Sequence, residues 1–230
     1  MKKILRVIVG FECSGVVRDA FLAAGHDAIS CDFKDTIVPG PHYKGNIFDI
    51  INDRWDLGIF HPPCTYLTVT GNKWNKPEFK ERFPDREEKR KEAIETFLRV
   101  TRCKIPKWCI ENPVGIMSTE YRKPNQIIQP MYFGHREPKR TCLWLRGLPR
   151  LNGNVSYALD PSTCEPEYHI TASGKRLPKW FAYADKSKGQ EHRAEIRSVT
   201  FPGIAAAMAT QWGRFFWSYK IVLVHTFPIQ

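Results

Sequence analysis

Short apolar runs recur through the first half of this chain, each closed by a turn and separated by stretches of helical period. Ile4 to Val9 is apolar except for Arg6, and reads as a strand. Gly10 to Gly15 is a loop of small residues. In Gly15 to Ala24, Val16, Val17, Ala20, Phe21 and Ala24 fall on one helical face, and Gly25 ends that helix. Ala28 to Cys31 reads as a second strand, closed by Asp32. A Pro/Gly-rich loop follows at 38–42, then a short strand near Tyr43 to Ile47, a brief helix near Phe48 to Asn52, and a strand ending at His61. Residues 65–84, with Gly71, Pro77 and Pro84, read as an ordered loop. Arg86 to Arg102 gives the clearest amphipathic helix, with Ala93, Ile94, Phe97, Leu98 and Thr101 inward. Trp108 to Glu111 is the next strand. Strand and helix alternating in this way predict a doubly wound, mostly parallel α/β sheet.

Beyond Asn112 the pattern changes. Gln126 to Pro130 and Thr141 to Leu145 read as further strands. Residues 149–198 are rich in Pro, Gly, Ser and Lys with little period, and read as a small irregular insertion in a domain made of 1–148 and 199–230. Thr200 is the expected cap of a late helix with Pro202 in its first turn, running to Phe215. The tail from Tyr219 to Gln230 has one apolar run that fits either a last strand or an ordered tail.

Composition narrows the class. The 230 residues suffice for one domain with a full core and one small insertion. With 42% hydrophobic and 26% charged residues, and no apolar run near the length of a membrane span, a soluble globular protein is expected. Met1 to Val7 is too short and too charged for a secretory signal and reads as the first strand. The seven cysteines are scattered, with no CxxC pair, so no metal site is expected. They are expected to be reduced thiols in a cytoplasmic protein, with Cys13, Cys31, Cys103, Cys109, Cys142 and Cys164 as small buried hydrophobes.

Charge adds a partner. The net charge is +11 and the pI about 9.4, which points to a polyanion, most simply nucleic acid. Residues 73–107 carry twelve Lys/Arg against seven acids, and 136–197 the same, so these two stretches hold most of the excess. Trp74, Trp180, Phe181 and Tyr183 lie within them, and aromatics among cations suit stacking on bases; satellite core packing is the plainer role.

The chemistry centres on two motifs 47 residues apart, His61-Pro62-Pro63-Cys64 and Ile110-Glu111-Asn112-Pro113. Each follows a buried-strand pattern, so a thiol and a carboxylate are expected at the carboxyl ends of two parallel strands, where open α/β sheets bind ligands. The Pro-Pro pair fixes φ twice and projects Cys64 rigidly, and free amides with nearby cations are expected to lower its pKa. Cytosine C5 is a poor nucleophile until something adds at C6. Thiolate addition there, with protonation at N3 by Glu111, creates an enamine able to attack a methyl sulfonium. A buried structural Cys and a surface Glu are the plainer reading of each residue alone.

The first strand-loop-helix, with Asp32 ending the second strand, has the form of a nucleotide site. It lacks both GxGxxG and GxxxxGK[ST]. A ligand with an adenosine half and no phosphate, S-adenosylmethionine, fits better.

With these motifs in hand, the chain resembles the DNA cytosine-5 methyltransferases, most closely their compact phage-type branch. Phe11-Glu12-Cys13-Ser14-Gly15 stands where that family has its Phe-x-Gly-x-Gly cofactor loop, with Cys13 in place of the middle glycine. The resemblance implies a Rossmann-like class I methyltransferase fold. It places Phe11 against adenine, Gly15 beside the methionine moiety, Asp32 on the ribose and Asn46 of Gly45-Asn46-Ile47 near adenine. Glu12 and Pro62 border the same cofactor site. Asp56 and Pro63-Cys64 match the nucleophile motif, and Glu111-Asn112 the acid motif. Phe133 to Arg140 is similar to the segment whose arginines contact the target base, with Arg140 and Lys139 as candidates. Phe201 to Ala205 resembles the late helix that closes the cofactor site. The resemblance runs to about Gly213, lacks a large target-recognition domain, and implies DNA as partner, with 149–198 as a reduced recognition region. Three alternatives stay open: exocyclic-amine methylation, because His61-Pro62-Pro63-Cys64 is reminiscent of an Asp/Asn-Pro-Pro-aromatic motif; another C5 modification with a different electrophile; and an inactive DNA-binding relative.

Overall fold

The computed structural model describes residues 3–153, 166–179, 182 and 198–215. Five parallel strands come first: β1 (Arg6–Gly10), β2 (Asp27–Asp32), β3 (His42–Lys44), β4 (Leu57–Phe60) and β5 (Lys107–Pro113). β7 (Thr141–Arg146) then inserts between β5 and β6 (Gln126–Ile128), antiparallel to both. The sheet order is β3-β2-β1-β4-β5-β7-β6, a mostly parallel, doubly wound, Rossmann-like sheet with one reversed strand. The order turns outward in both directions from β1 and β4, so their carboxyl ends flank the crevice where ligands bind in such sheets.

Side-chain alternation divides the core between the two faces. Val7 and Val9 of β1 point to one side, with Leu57 and Ile59 of β4. Helix α1 (Val16–Ala23) covers them with Val17 and Phe21. Ile8, Phe60 and Ile110 point to the other side, under Phe97 and Val100 of α3 (Arg86–Thr101). Burying each such side chain contributes roughly 1.5–3 kcal/mol, which is why the alternating strands lock in this register. Short helices α2 (Ile47–Ile50) and α4 (Met117–Glu120) follow β3 and β5.

Several predicted boundaries move, each for a local reason. β3 stops at Lys44 because Asn46 leaves the strand to cap α2, its Oδ1 accepting the Phe48 amide at 3.1 Å. The late helix α5 (Pro202–Ala207) is capped by Phe201, not Thr200, with Pro202 at its start. It does not run evenly to Phe215: a wide π turn, Met208–Trp212, interrupts it, and the buried Trp212 indole donates to the Pro149 carbonyl at 3.0 Å. The 65–84 loop contains two 3-10 turns, Val69–Asn75 and Pro77–Phe79.

The segment 149–198 is not wholly irregular. Leu151 is buried in the main core and exchanges two hydrogen bonds with Gln126. Further on, β8 (Tyr168–Ile170) and β9 (Arg176–Pro178) pair as an exposed antiparallel hairpin. Residues 154–165 and 183–197, and the tail 219–230, lie outside the described residues. No helix among the described residues is long and apolar enough to cross a membrane.

Candidate active site

Phe60 of β4 pairs with Ile110 of β5, so His61, just past the end of β4, comes beside Glu111, which stays within β5 and pairs with Leu143 of β7. His61 Nδ1 and Glu111 Oε2 are 2.8 Å apart, and the two side chains are only 9% and 12% exposed. One residue further, Asn112 Nδ2 donates to the Pro62 carbonyl at 2.8 Å. The two motifs are thus stitched together twice. The chain beyond Cys64 turns at once, with the Leu67 amide donating to the Cys64 carbonyl at 2.9 Å. It then crosses the segment after Asn112 through a Thr68–Gly115 bridge. Gly115 is needed there, because a Cβ would run into the Leu67 carbonyl.

The charges of Glu111 and Lys139 are both felt at Cys64, and that of Lys139 at Glu111. Burial raises Glu111, but the hydrogen bond and electrostatic pull of His61, helped by Lys139, outweigh it and hold the carboxyl below its usual range. Cys64 moves the opposite way. Burial pushes its thiol up, the Glu111 charge adds to this, and Lys139 offsets only part. The expected lowering of the Cys64 pKa is therefore overturned: the pocket is too dry and too close to a carboxylate. Lys139, whose ammonium also lies 5.7 Å from the Phe201 ring centre, acts on both groups. Arg140 is exposed, and its charge is felt at Cys142. Asp56 lies at the opposite end of β4, accepting from the Arg6 amide and from Lys3.

The loop between β1 and α1 forms the second half of the crevice. Phe11 sits at φ 60°, a backbone state uncommon outside glycine, and packs edge-on to Phe48 with ring centres 6.3 Å apart. Gly15 sits at φ 77° as the residue before α1. Glu12, 5% exposed, accepts from the Val17 and Arg18 amides at 2.8 and 3.3 Å and from Ser14 Oγ at 3.1 Å. Those helix amides, which a nucleotide-type site would turn to its ligand, are satisfied by an internal carboxylate. Asp32 stands at the tip of β2, with one oxygen accepting the Lys34 amide at 2.9 Å. Asn46 stands across the turn after β3, its Oδ1 used in capping.

Phe11 and Phe48 bring aromatic faces to this end of the sheet and Asp32 brings an acid, while the helix end where a phosphate would sit already holds the Glu12 carboxylate. No cluster of His, Cys, Asp and Glu able to hold a metal occurs among the described residues. Cys31, Cys103, Cys109 and Cys142 are buried as expected, Cys13 is half-buried, and Cys164 lies outside the described residues. Trp74 packs against Phe79 and Phe83. Trp180, Phe181 and Tyr183 are outside the description.

Two site features were not read from the sequence. The role of His61 was hidden because its partner is 50 residues away, although the strand register made the pairing available. The capping role of Glu12 was hidden because an acid inside a short loop, four residues before a helix, is an ordinary sequence feature.

The sheet order and reversed β7 define a Rossmann-like, doubly wound fold. No family model matches the sequence, and no curated protein matches it. Among solved structures, the chain is similar to a putative DNA modification methyltransferase encoded within an Escherichia coli prophage (15% identity, TM-score 0.40, covering 61% of this chain and 46% of that one). It is also similar to Schizosaccharomyces pombe Dnmt2 methyltransferase (15%, TM-score 0.41, 82% and 62%) and to a Spodoptera frugiperda DNMT2 mutant (15%, TM-score 0.34, 67% and 52%). In each case the match spans less than two thirds of the solved chain.

Proposed function

We propose that the protein is an S-adenosylmethionine-dependent DNA cytosine-5 methyltransferase, with Cys64 as nucleophile and Glu111 as the proton-handling partner. The observation that carries this reading is the joining of the turn after β4, which bears Cys64, to the carboxyl-terminal part of β5, which bears Glu111, by the His61–Glu111 and Asn112–Pro62 bonds. The electrostatics support it: the carboxylate is nearly buried yet held below its usual range, and its charge helps raise the thiol, a perturbed pair of the kind that marks candidate chemical sites.

Cys64 Sγ adds to C6 of a cytosine turned out of the DNA, and N3 gains a proton through Glu111. The C5=C6 pair moves into the ring to give an enamine. The bound cofactor supplies an electrophilic methyl group for C5. Loss of the C5 proton to water then breaks the S–C6 bond, and N3 returns its proton through Glu111 to the departing thiolate, which restores both the ring and Cys64. Lys139 faces Cys64 and Glu111 and supports the negative charge that passes between them. Phe11, Phe48, Asp32 and Asn46 would hold the adenosine half, and Gly15 and Pro62 would border it. Glu12 would shape the loop by capping α1. The two basic stretches would meet the phosphates. The 149–198 segment, with its hairpin, would serve as a small recognition region.

DNA containing 5-fluorocytosine tests the reading, because fluorine at C5 cannot leave as a proton does. Wild-type protein with S-adenosylmethionine should form an adduct that survives denaturation, and Cys64→Ser should form none. An adduct in Cys64→Ser, or none in the wild type on DNA that it binds, would contradict it.

A further inference from the structure

Arg18 lies on the inward face of α1 with its side chain wholly buried. A guanidinium taken out of water is costly unless it is paired and hydrogen-bonded, and a well-packed apolar side chain of similar volume is often at least as stable in such a place. Arg18 is bonded through all three nitrogens. Nε donates to Asp19 at 2.8 Å, Nη1 to Ser30 Oγ at 3.2 Å and to Thr36 Oγ1 at 3.0 Å, and Nη2 to the Val38 carbonyl at 2.9 Å. A Cβ at Gly15 or at Gly40 would run into the guanidinium. The group therefore fills the space between the turn before α1 and the 33–41 loop. The Ile37 amide ties that loop again to the turn, donating to the Cys13 carbonyl at 2.8 Å.

The bond to Ser30 starts a run that ends at Asp32. Ser30 Oγ, on β2, is 2.8 Å from His42 Nδ1, and His42 Nε2 is 2.9 Å from the Lys34 carbonyl. The Lys34 amide donates to Asp32 Oδ1 at 2.9 Å. The Lys34 carbonyl can only accept, so His42 carries a proton on Nε2, and that tautomer leaves Nδ1 to accept from the Ser30 hydroxyl. The Ser30 oxygen in turn accepts from Arg18. Every donor points the same way, from Arg18 through Ser30 and His42 to Lys34, whose own amide holds the carboxylate.

Resting on the reading above, in which Asp32 takes the ribose, we propose that Arg18 is a positioning residue of the cofactor site: its buried guanidinium presets the Asp32 carboxylate and the 33–41 loop, and so sets how strongly the site selects a ligand that carries ribose hydroxyls. A carboxylate fixed before the ligand arrives loses little freedom in accepting those hydroxyls. One that must be ordered at that moment binds them less well. Lysine at position 18 keeps the charge and loses the planar fork, so a single ammonium cannot hold Ser30, Thr36 and Val38 together. Ser30→Ala is the milder break. It removes the link to His42 while Arg18 keeps Asp19, Thr36 and Val38.

The test reads ribose selection and not turnover. Dissociation constants for S-adenosylhomocysteine and its 2′-deoxy analogue are measured by calorimetry on wild-type protein, Arg18→Lys and Ser30→Ala, with melting curves to show that each is folded. The wild type should prefer the ribose-bearing ligand by roughly tenfold, the contribution of one charge-assisted hydrogen bond. In both variants the preference should fall to about threefold or less, with most of the loss on the ribose-bearing ligand. If Arg18→Lys does not fold, Ser30→Ala decides alone. A wild-type preference in folded Ser30→Ala would overturn the proposal. Equal weakening of both ligands would overturn it too, because Arg18 would then serve the fold alone. No preference in the wild type would overturn it together with the ribose role of Asp32. A selective loss in a protein that makes no 5-methylcytosine would sink the cytosine-5 reading and leave the Arg18–Asp32 linkage standing.

Discussion

The Asn112 side chain donates to the carbonyl of Pro62 at 2.8 Å, inside the protein and across the two strands that carry the reactive groups. Pro62 has no N–H and fixed φ, so this bond is what orients the peptide leading to Cys64. Asn112→Ala should leave the buried carbonyl unpaired and cost ~1–3 kcal/mol, or about 2–4 °C in melting temperature per kcal/mol for a chain of this size. Turnover should fall further than that loss accounts for, because Cys64 is displaced. Melting curves alongside single-turnover rates check this; a variant that loses stability but keeps its rate would free Cys64 from dependence on Asn112.

Asp32 ends β2 with one oxygen accepting the Lys34 amide, and the proposed reading sets its carboxylate on two ribose hydroxyls. Charge-assisted hydrogen bonds of this kind contribute about 1.5–3 kcal/mol each. Asp32→Ala should weaken S-adenosylmethionine binding by roughly tenfold or more in calorimetry while the protein stays folded. Equal affinity would reduce Asp32 to a strand terminator.

His135 provides a pH dependence of stability. Its Nε2 accepts the Gly203 amide at 2.9 Å, tying the turn after Phe133 to the start of α5. Burial lowers its pKa below 6.5, with Glu137 pulling weakly the other way. A histidine depressed in the folded state binds its proton more readily when unfolded. Its contribution is then complete above the unfolded pKa and is lost as pH falls through the folded one. Melting temperatures should therefore decline from about pH 6.5 downward, and His135→Gln should show a shallower decline between pH 7 and 5.5. Parallel curves for the two proteins would exclude the His135–Gly203 bond as the source.

The hairpin of β8 and β9 carries part of the basic surface. Arg176 lies over the Tyr168 ring, 4.0 Å from its centre, Lys175 is exposed at the turn, and Lys179 pairs with Glu167 at 2.8 Å. Each phosphate neutralised should contribute roughly −0.9 to the slope of log affinity against log salt. Replacing Lys175, Arg176 and Lys179 with Ala should flatten that slope and weaken binding to all sequences alike, with Lys179 contributing least because Glu167 already balances it. Sequence choice should be modest, since few side chains here could reach base edges. A wild-type slope in the triple variant would put the DNA on another face.

Much of this architecture is legible from local pattern. The strands up to β5 are bounded by apolar runs and glycine or proline turns, and α3 begins and ends within one residue of its expected limits. That regularity alone brings His61, Cys64 and Glu111 to neighbouring strand ends. What escapes is set by contacts distant in sequence. β8 is only three residues long and all three are exposed, so its single Tyr168–Ile170 alternation is too short to mark a strand. Glu12 and His61 have the same difficulty: each is defined by its hydrogen-bond partners. The direction of the Cys64 shift follows from burial beside a carboxylate, which no motif encodes.

Nucleoside analysis tests the central claim most directly. Cytosine-containing DNA is incubated with the protein and methyl-labelled S-adenosylmethionine, digested, and resolved by mass spectrometry. The Cys64–Glu111 site predicts label in 5-methylcytosine, abolished in Cys64→Ser and reduced by orders of magnitude in Glu111→Gln. Label in an exocyclic N-methyl base, or label in 5-methylcytosine that persists in Cys64→Ser, would contradict it.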